Sequence, residues 1–243
     1  MLYFTTHNYF LFTRKEFWFY NGEKIPEGTY NTFSATKRIY SPEIHYLQKY
    51  TTSIIDLSKT KEELFNAIHP RIRRYIRAAE KQDFQITIKR YPTETDCDFV
   101  FHSFNQFAKS KKIAPLNKKW LKAVIRTGNI CFTEVNKGST NINTHVYIFD
   151  DTRTIFTHVF YNSLITNERI RSDANQYLLW NDLLYFSEMG LKYYDFGGIN
   201  LEKLPGISQF KLKFGGTIEE YYRYIKTPYL IYLIVKLYKW IFK

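Results

Sequence analysis

Two stretches of the chain set reactive side chains beside pairs of glycines. In Asp195-Phe196-Gly197-Gly198 an acid precedes two residues without side chains, and in Phe210-Lys211-Leu212-Lys213-Phe214-Gly215-Gly216 two lysines lead into a second pair. Five of the ten glycines fall between residues 195 and 216, so this segment demands special backbone geometry. The reading is an acid that ends a buried strand, followed by glycines that turn the chain away without blocking a cleft, with positive φ required at Gly198. A lysine nearby supplies a cation of the kind that holds a phosphate or stabilises the oxyanion of an acyl transfer. Lys211 and Lys213 share one side if the segment is extended and are split if it is helical, so one of the two reaches a site.

Other reactive residues are more scattered. His145 and His158 lie on adjacent strand candidates, and without an identifiable carboxylate partner each reads as a hydrogen-bonded core histidine. Cys97 and Cys131 carry no metal-ligand or Cys-x-x-Cys spacing, so they read as packed, reduced thiols and no metal is expected. Arg71, Arg73, Arg74, Arg77 and Lys81 crowd one short helix. That helix is either a phosphate-binding stripe or a solvated basic face, with Arg73 and Arg77 on one side at i,i+4.

The elements that must position these groups follow from local signals. Residues 1–57 read as strands around the turn NGEKIPEG. The run T-K-E-E at Thr60 is a capping box opening a helix to Ile68, and Pro70 opens a second helix to Lys81. FQITIKR alternates as a strand over 84–90, and TETDCDFVFHSFNQFAKSKK is a helix with acids first and lysines last, matching its dipole. Asn117 caps NKKWLKAVIRTG. Three strands at 129–136, 143–150 and 154–161 form an antiparallel meander, the last two joined by FDDTRT. Ser172 caps a long helix, SDANQYLLWNDLLYFSEMG, whose apolar face is Tyr177, Leu178, Trp180, Leu183, Leu184 and Phe186, and Gly190 ends it. The strand LKYYDF follows, then the glycine segment, then the strand TIEEYYRYI. Helices and strands alternate over one core, which fits a mixed α/β (α+β) domain.

At 243 residues, with 44% hydrophobic and 19% aromatic content, the chain buries enough apolar surface to exclude a disordered protein. Its formal charge of +12 points to anionic partners: nucleic acid, anionic lipid or phosphorylated substrates. RNA binding is disfavoured, since no RNP-like, KH-like or zinc-knuckle pattern occurs. The first residues lack the signature of a secretory signal, and with no disulfide framework this leads to a cytoplasmic expectation. Residues 228–243, PYLIYLIVKLYKWIFK, form a helix that starts at Pro228 and spaces Lys236, Lys239 and Lys243 along it. At ~1.5 Å per residue it falls short of the ~30 Å hydrocarbon core of a bilayer. It either lies in the interface of an anionic membrane, at its cytoplasmic face, or packs against the domain or a second subunit.

The run ANQYLLWNDLLYFSEMGLKYYDFGGIN…GISQFKLKFGG resembles the signature of FemABX-type transferases, a branch of the GNAT acyltransferase fold that includes peptidoglycan cross-bridge peptidyltransferases and polysaccharide-associated relatives. Upstream, IIDLSKTKEELFNAIHPRIRRYIRAAEK is similar to the family's entry helix, and the two motifs together cover roughly residues 50–225. Tyr75 and Ala78 stand where the family has a glutamate and an arginine, so a binding role passes only to Arg73 and Arg77. The peptidyltransferases usually hold two such domains with a helical arm, and here one copy fits.

The resemblance implies a central, largely antiparallel mixed sheet flanked by helices, one transferase domain over 1–227 with residues 1–50 as a strand-rich extension, and the helix at 228–243. It also implies transfer of an acyl or aminoacyl group to the amine of a nucleotide-linked or lipid-linked cell-wall or polysaccharide precursor. The alternatives are a CoA-dependent amino-sugar acetyltransferase and a non-catalytic membrane- or glycan-binding adaptor. The donor stays open between aminoacyl-tRNA and acyl-CoA. Lys211 occupies the family's Phe-Lys position as the catalytic cation, and Asp195 is the carboxylate that orients or deprotonates the amine. Around them the substrate is expected to meet Arg73, Arg77, Tyr161 and Arg171, with Asn175, Gly197, Gly198 and Phe214. Acetyl-CoA users place a glycine turn for the pyrophosphate where this chain has Arg169-Ile170-Arg171-Ser172-Asp173-Ala174. Ser172 replaces that glycine and Asp173 adds a negative charge, and a serine cap with a first-turn acid accounts for both.

Overall fold

The computed structural model describes residues 1–9, 12–20, 22, 30–37 and 43–241; apart from Gly22, the turn NGEKIPEG lies outside them. The chain divides into two compact units, one of Met1–Thr51 with Glu219–Lys243 and one of Thr52–Ile218.

Four strands open the chain: β1 (Leu2–Tyr9), β2 (Phe12–Trp18), β3 (Tyr30–Thr36) and β4 (Ile44–Asp56). Then come α1 (Lys61–Ala67) and α2 (Pro70–Ala79). The capping box is formed as expected: Thr60 Oγ1 accepts from the Glu63 amide at 3.2 Å, and Glu63 Oε2 accepts from the Thr60 amide at 2.8 Å. His69 caps α2 through Nδ1, which accepts from the Arg71 amide. β5 (Gln85–Lys89), α3 (Glu94–Lys111) and α4 (Lys118–Ile125) come next. The meander is β6 (Ile130–Lys137), β7 (Thr140–Phe149) and β8 (Arg153–Tyr161), antiparallel throughout.

The long helix α5 runs from Glu168 to Glu188, so it begins before Ser172. Its cap is Asn167, whose Oδ1 accepts from the amides of Arg169 and Ile170 at 3.0 and 3.2 Å. Asn167-Glu168 carries the same cap-plus-acid signal as Ser172-Asp173, and the earlier one opens the helix. Ser172 then sits inside it, accepting from Gln176 Nε2, and Asp173 is buried. Gly190 ends α5 at φ +81. β9 (Tyr193–Ile199) continues through both glycines instead of stopping at Asp195. The segment after it is a helix, α6 (Pro205–Leu212), which splits Lys211 from Lys213. β10 (Thr217–Lys226) and α7 (Tyr229–Ile241) complete the order.

Within the first unit the strand order is β1-β2-β3-β10-β4, with β1 antiparallel to β2, β2 parallel to β3 and β3 antiparallel to β10. Phe17, Phe33 and Tyr224 stack through its centre at 4.8 and 4.4 Å. Within the second the order is β4-β9-β8-β7-β6-β5, a mixed sheet, mostly antiparallel, flanked by helices. Its main core gathers Ile68, Ile72 and Ile76 from α1–α2, Leu179, Leu183 and Phe186 from α5, and Tyr194 and Phe196 from β9. The ladder between parallel β8 and β9 ends at Ile155 and Asp195, although β8 goes on to Tyr161 and β9 to Ile199.

Two glycine positions explain the cluster. Gly197 has φ +69 and packs so close that a Cβ would lie 2.9 Å from the Phe156 carbonyl; Gly215 has φ +85, and a Cβ there would lie 2.5 Å from the carbonyl of Ala67 at the end of α1. Gly198, assigned the turn from sequence, is exposed, lies outside the positive-φ region and faces open space. The strand continues there, so the geometric demand falls one residue earlier.

Candidate functional site

Three helices of the second unit enclose a cleft of about 970 Å³. α2 contributes Arg71, Arg74, Tyr75 and Ala78; the first turns of α5 contribute Glu168, Arg169, Ser172 and Asp173; α6 contributes Gly206, Gln209, Phe210 and Lys213. The spacing on α2 and α6 is that of one helix face each. Four cations face two acids here, and Asp173 is buried with the Arg169 guanidinium 3.8 Å away. The Tyr75 hydroxyl accepts from Arg71 Nε at 3.1 Å, and the hydrogen bonds from Arg71 and Arg74 lower its pKa. The cleft wall is therefore a cationic surface with hydrogen-bond donors, suited to phosphate or carboxylate groups.

On its other side α6 meets β9. Lys211 Nζ donates to the Gly198 carbonyl at 2.9 Å, and burial pushes the ammonium down to about 8, against the pull of Asp195. Asp195 is fully buried. Its Oδ1 accepts from the Gly197 amide at 2.7 Å and from the Thr52 hydroxyl, which also lies 2.8 Å from the Gly197 carbonyl. Burial raises the Asp195 pKa to about 6, opposed by the bonds from Thr52 and Gly197 and by the charges of Arg153 and Lys211. Oδ2 has no hydrogen-bond partner among the described residues. A desolvated lysine and a desolvated acid beside a strand that leaves its neighbour form a perturbed pair of the kind that marks reactive sites.

The structure brings Lys211, Gly198, Gly197 and Asp195 together, and it disperses the other residues expected around them. Arg73 and Arg77 turn away from the cleft: Arg73 donates to Asn66 of α1 at 3.1 Å, and Arg77 lies 5.2 Å from the Phe65 ring. Tyr161 and Arg171 meet on a further face of α5, with the guanidinium 4.3 Å from the ring centre and Lys111 at 5.4 Å. Phe214 is buried in the core against Phe196 and Phe210.

Asn175 belongs to a buried polar chain. Its Oδ1 lies 3.0 Å from His145 Nε2, while His145 Nδ1 lies 2.7 Å from Asp182 Oδ2. Tyr147 donates to the same Asp182 oxygen at 2.6 Å and stands 2.8 Å from the Tyr194 hydroxyl. Burial, then the Asp182 charge, raises both tyrosine pKa values well above the ordinary range. His145 thus has a carboxylate partner, 37 residues away in sequence on α5. His158 stands edge-on to Phe104, and burial lowers its pKa to about 4. Both cysteines are buried free thiols whose pKa values burial raises, Cys97 to about 11.

Sequence reasoning names Arg71 and Arg74 only within the basic run and Lys213 only as the alternative to Lys211, and it misses Thr52 and Asp182. The basic run on α2 was visible. Which arginines face the cleft depends on α1 covering the opposite side.

No family model matches the chain. Over 65 residues it is 31% identical to an uncharacterized lipoprotein of Rickettsia felis, covering 26% of this chain and 51% of that protein, so the chain spans about half the length of the curated relative it matches. Its structure is similar to that of FemX, with a TM-score of 0.59 and 14% identity over 76% of this chain and 63% of FemX, less than two thirds of that protein. L-PGS from Bacillus licheniformis gives 0.55 and 10% identity over 84% and 70% of the two chains. A C-terminal domain named for a lysylphosphatidylglycerol synthetase, from Agrobacterium fabrum, gives 0.52 and 9% over 82% and 68%. At these identities the likeness concerns the fold: the chain has an α/β fold similar to those of FemX and L-PGS.

Proposed function

We propose that this protein moves an acyl or aminoacyl group from an activated donor to the amine of a phosphate-bearing acceptor, such as a nucleotide-linked or lipid-linked precursor of cell wall or polysaccharide. The observation that carries the reading is the cationic cleft between α2, α5 and α6, on a fold shared with FemX and L-PGS. Arg71, Arg74 and Lys213 hold the acceptor's phosphate, leaving its amine to attack the donor carbonyl. The attack forms the new C–N bond and a tetrahedral oxyanion, which collapses as the bond to the donor's leaving group breaks, and that group departs carrying the proton the amine gives up. Lys211 stabilises that oxyanion as an ammonium. Asp195 is too enclosed to touch an amine; it fixes the Gly197 turn and favours the charged form of Lys211.

The geometry of α5 sets the order in which donors are tested. Residues 169–174 are helical and Asn167 already takes the first-turn amides of Arg169 and Ile170, so a pyrophosphate does not find the glycine turn that acetyl-CoA users offer. Aminoacyl-tRNA is therefore the first donor to test and acyl-CoA the second. The experiment is a panel of labelled donors against amino-bearing nucleotide sugars and lipid-linked sugars, read by mass spectrometry. An acceptor heavier by one acyl or aminoacyl group is expected. A protein that binds these acceptors yet transfers nothing from either donor class is a binding adaptor, and the transferase reading fails.

A further inference from the structure

The helix α7 wears its apolar side outward. Leu230, Leu233, Ile234, Leu237 and Trp240 form one stripe at helical spacing, all exposed, with Leu230 at 70% and Trp240 at 78% of full accessibility. The opposite side seats the helix within the first unit: Tyr232 stacks on His45 at 5.1 Å, His45 Nε2 lies 2.6 Å from the Thr227 carbonyl, and Val235 is buried. A surface helix ordinarily turns its apolar stripe to the core and its charges to water. Here the helix is anchored by one face and presents a second apolar face to something outside the unit.

We propose that this face docks the protein onto an anionic lipid bilayer, with α7 lying in the plane of the interface. Residues 228–243 contain three lysines and no acid, and Lys236 is exposed beside the stripe. That combination complements negatively charged headgroups above an acyl boundary. Tyr229 and Trp240 stand near the two ends of the stripe, where amphipathic rings settle at headgroup level. Thirteen helical residues at ~1.5 Å each reach only ~20 Å, and no helix among the described residues is long and apolar enough to cross a membrane. A second copy of the chain fits less well, because a two-fold interface would set one lysine-bearing, acid-free helix against its twin. Lys243 lies outside the described residues, as does the side chain of Lys239, and only Lys236 enters the geometry.

The proposal stands apart from the transferase reading, and its test does not use activity. The full chain is mixed with vesicles of phosphatidylglycerol and phosphatidylcholine in equal parts, and with vesicles of phosphatidylcholine alone, and binding is read by co-flotation. Trp240→Phe assigns any blue shift of fluorescence to that residue. Leu233→Glu and Leu237→Glu fall on exposed positions and are each expected to weaken binding at least about tenfold, with unchanged melting temperature. Lys236→Glu is expected to weaken it about fivefold or more, and wild-type binding to fall with salt. Absence of vesicle binding overturns the proposal. So do equal binding to both lipid mixtures, retention by the two glutamate variants, or a stable dimer that Leu233→Glu dissociates.

Discussion

Gly215→Ala tests the close approach between the end of α1 and the turn that follows α6. The new methyl would lie 2.5 Å from the Ala67 carbonyl oxygen and 2.9 Å from the Ala67 carbonyl carbon, both rigid backbone at the end of α1. The residue would also have to hold φ +85, a left-handed conformation that costs a side-chain-bearing residue about 1–2 kcal/mol. Forcing a methyl into a filled space typically adds about 1–3 kcal/mol. The sum, about 2–5 kcal/mol, is a large part of the roughly 5–15 kcal/mol by which a domain is stable. With a urea slope of roughly 2 kcal/mol/M, the unfolding midpoint is expected to fall by about 1–2.5 M. Gly198→Ala is the control, since that site is open and outside the positive-φ region, and it is expected to shift stability by less than about 0.5 kcal/mol. Equal midpoints for the two variants would refute the reasoning.

Three further outcomes are expected from the site. Tyr147→Phe removes the hydroxyl between Asp182 and Tyr194 and is expected to cost about 1–3 kcal/mol, read by thermal denaturation; an unchanged melting temperature would mean the buried chain adds nothing. In acceptor titrations, Arg71→Ala and Arg74→Ala are expected to raise KM about tenfold with little change in kcat, whereas Arg73→Ala and Arg77→Ala leave it alone; the reverse pattern would place the phosphate against α1. Because the Asp195 pKa is raised above 3.8 in the folded protein, its contribution is full below about pH 4 and is lost as pH rises through about 6. Wild type is therefore expected to lose stability relative to Asp195→Asn across that window, and a flat difference between the two would contradict the assignment.

Helix starts and the meander were legible because their signals are local. Thr60 with Glu63, Thr93 with Asp96, and Asn117 each cap a helix through bonds spanning three residues or fewer. Where two equal signals competed, at Asn167-Glu168 and Ser172-Asp173, nothing local decided between them. The alternation of aromatics and lysines in 210–214 had strand period over too short a run to reveal α6, whose start depends on Pro205 at the first turn without a side-chain cap. Long-range partners stayed hidden for the same reason. Asp182 meets His145 only once α5 lies on the sheet, and Thr52 meets Asp195 across 143 residues. The basic character of α2 was plain, but its partition into a cleft face and a face toward α1 is a property of packing.

The most direct test of the transferase account is the pH dependence of transfer in wild type, Lys211→Met and Lys211→Arg, with acceptor below saturation. With Lys211 near 8, wild type is expected to be active below that value and to fall on the alkaline side as the ammonium loses its proton. Lys211→Met, still folded, is expected to lose about 10²–10³ in rate below about pH 8 and to lack the alkaline fall, and Lys211→Arg to retain more activity with the alkaline fall moved upward. Wild-type rates in Lys211→Met, with the alkaline limb in place, would contradict the account.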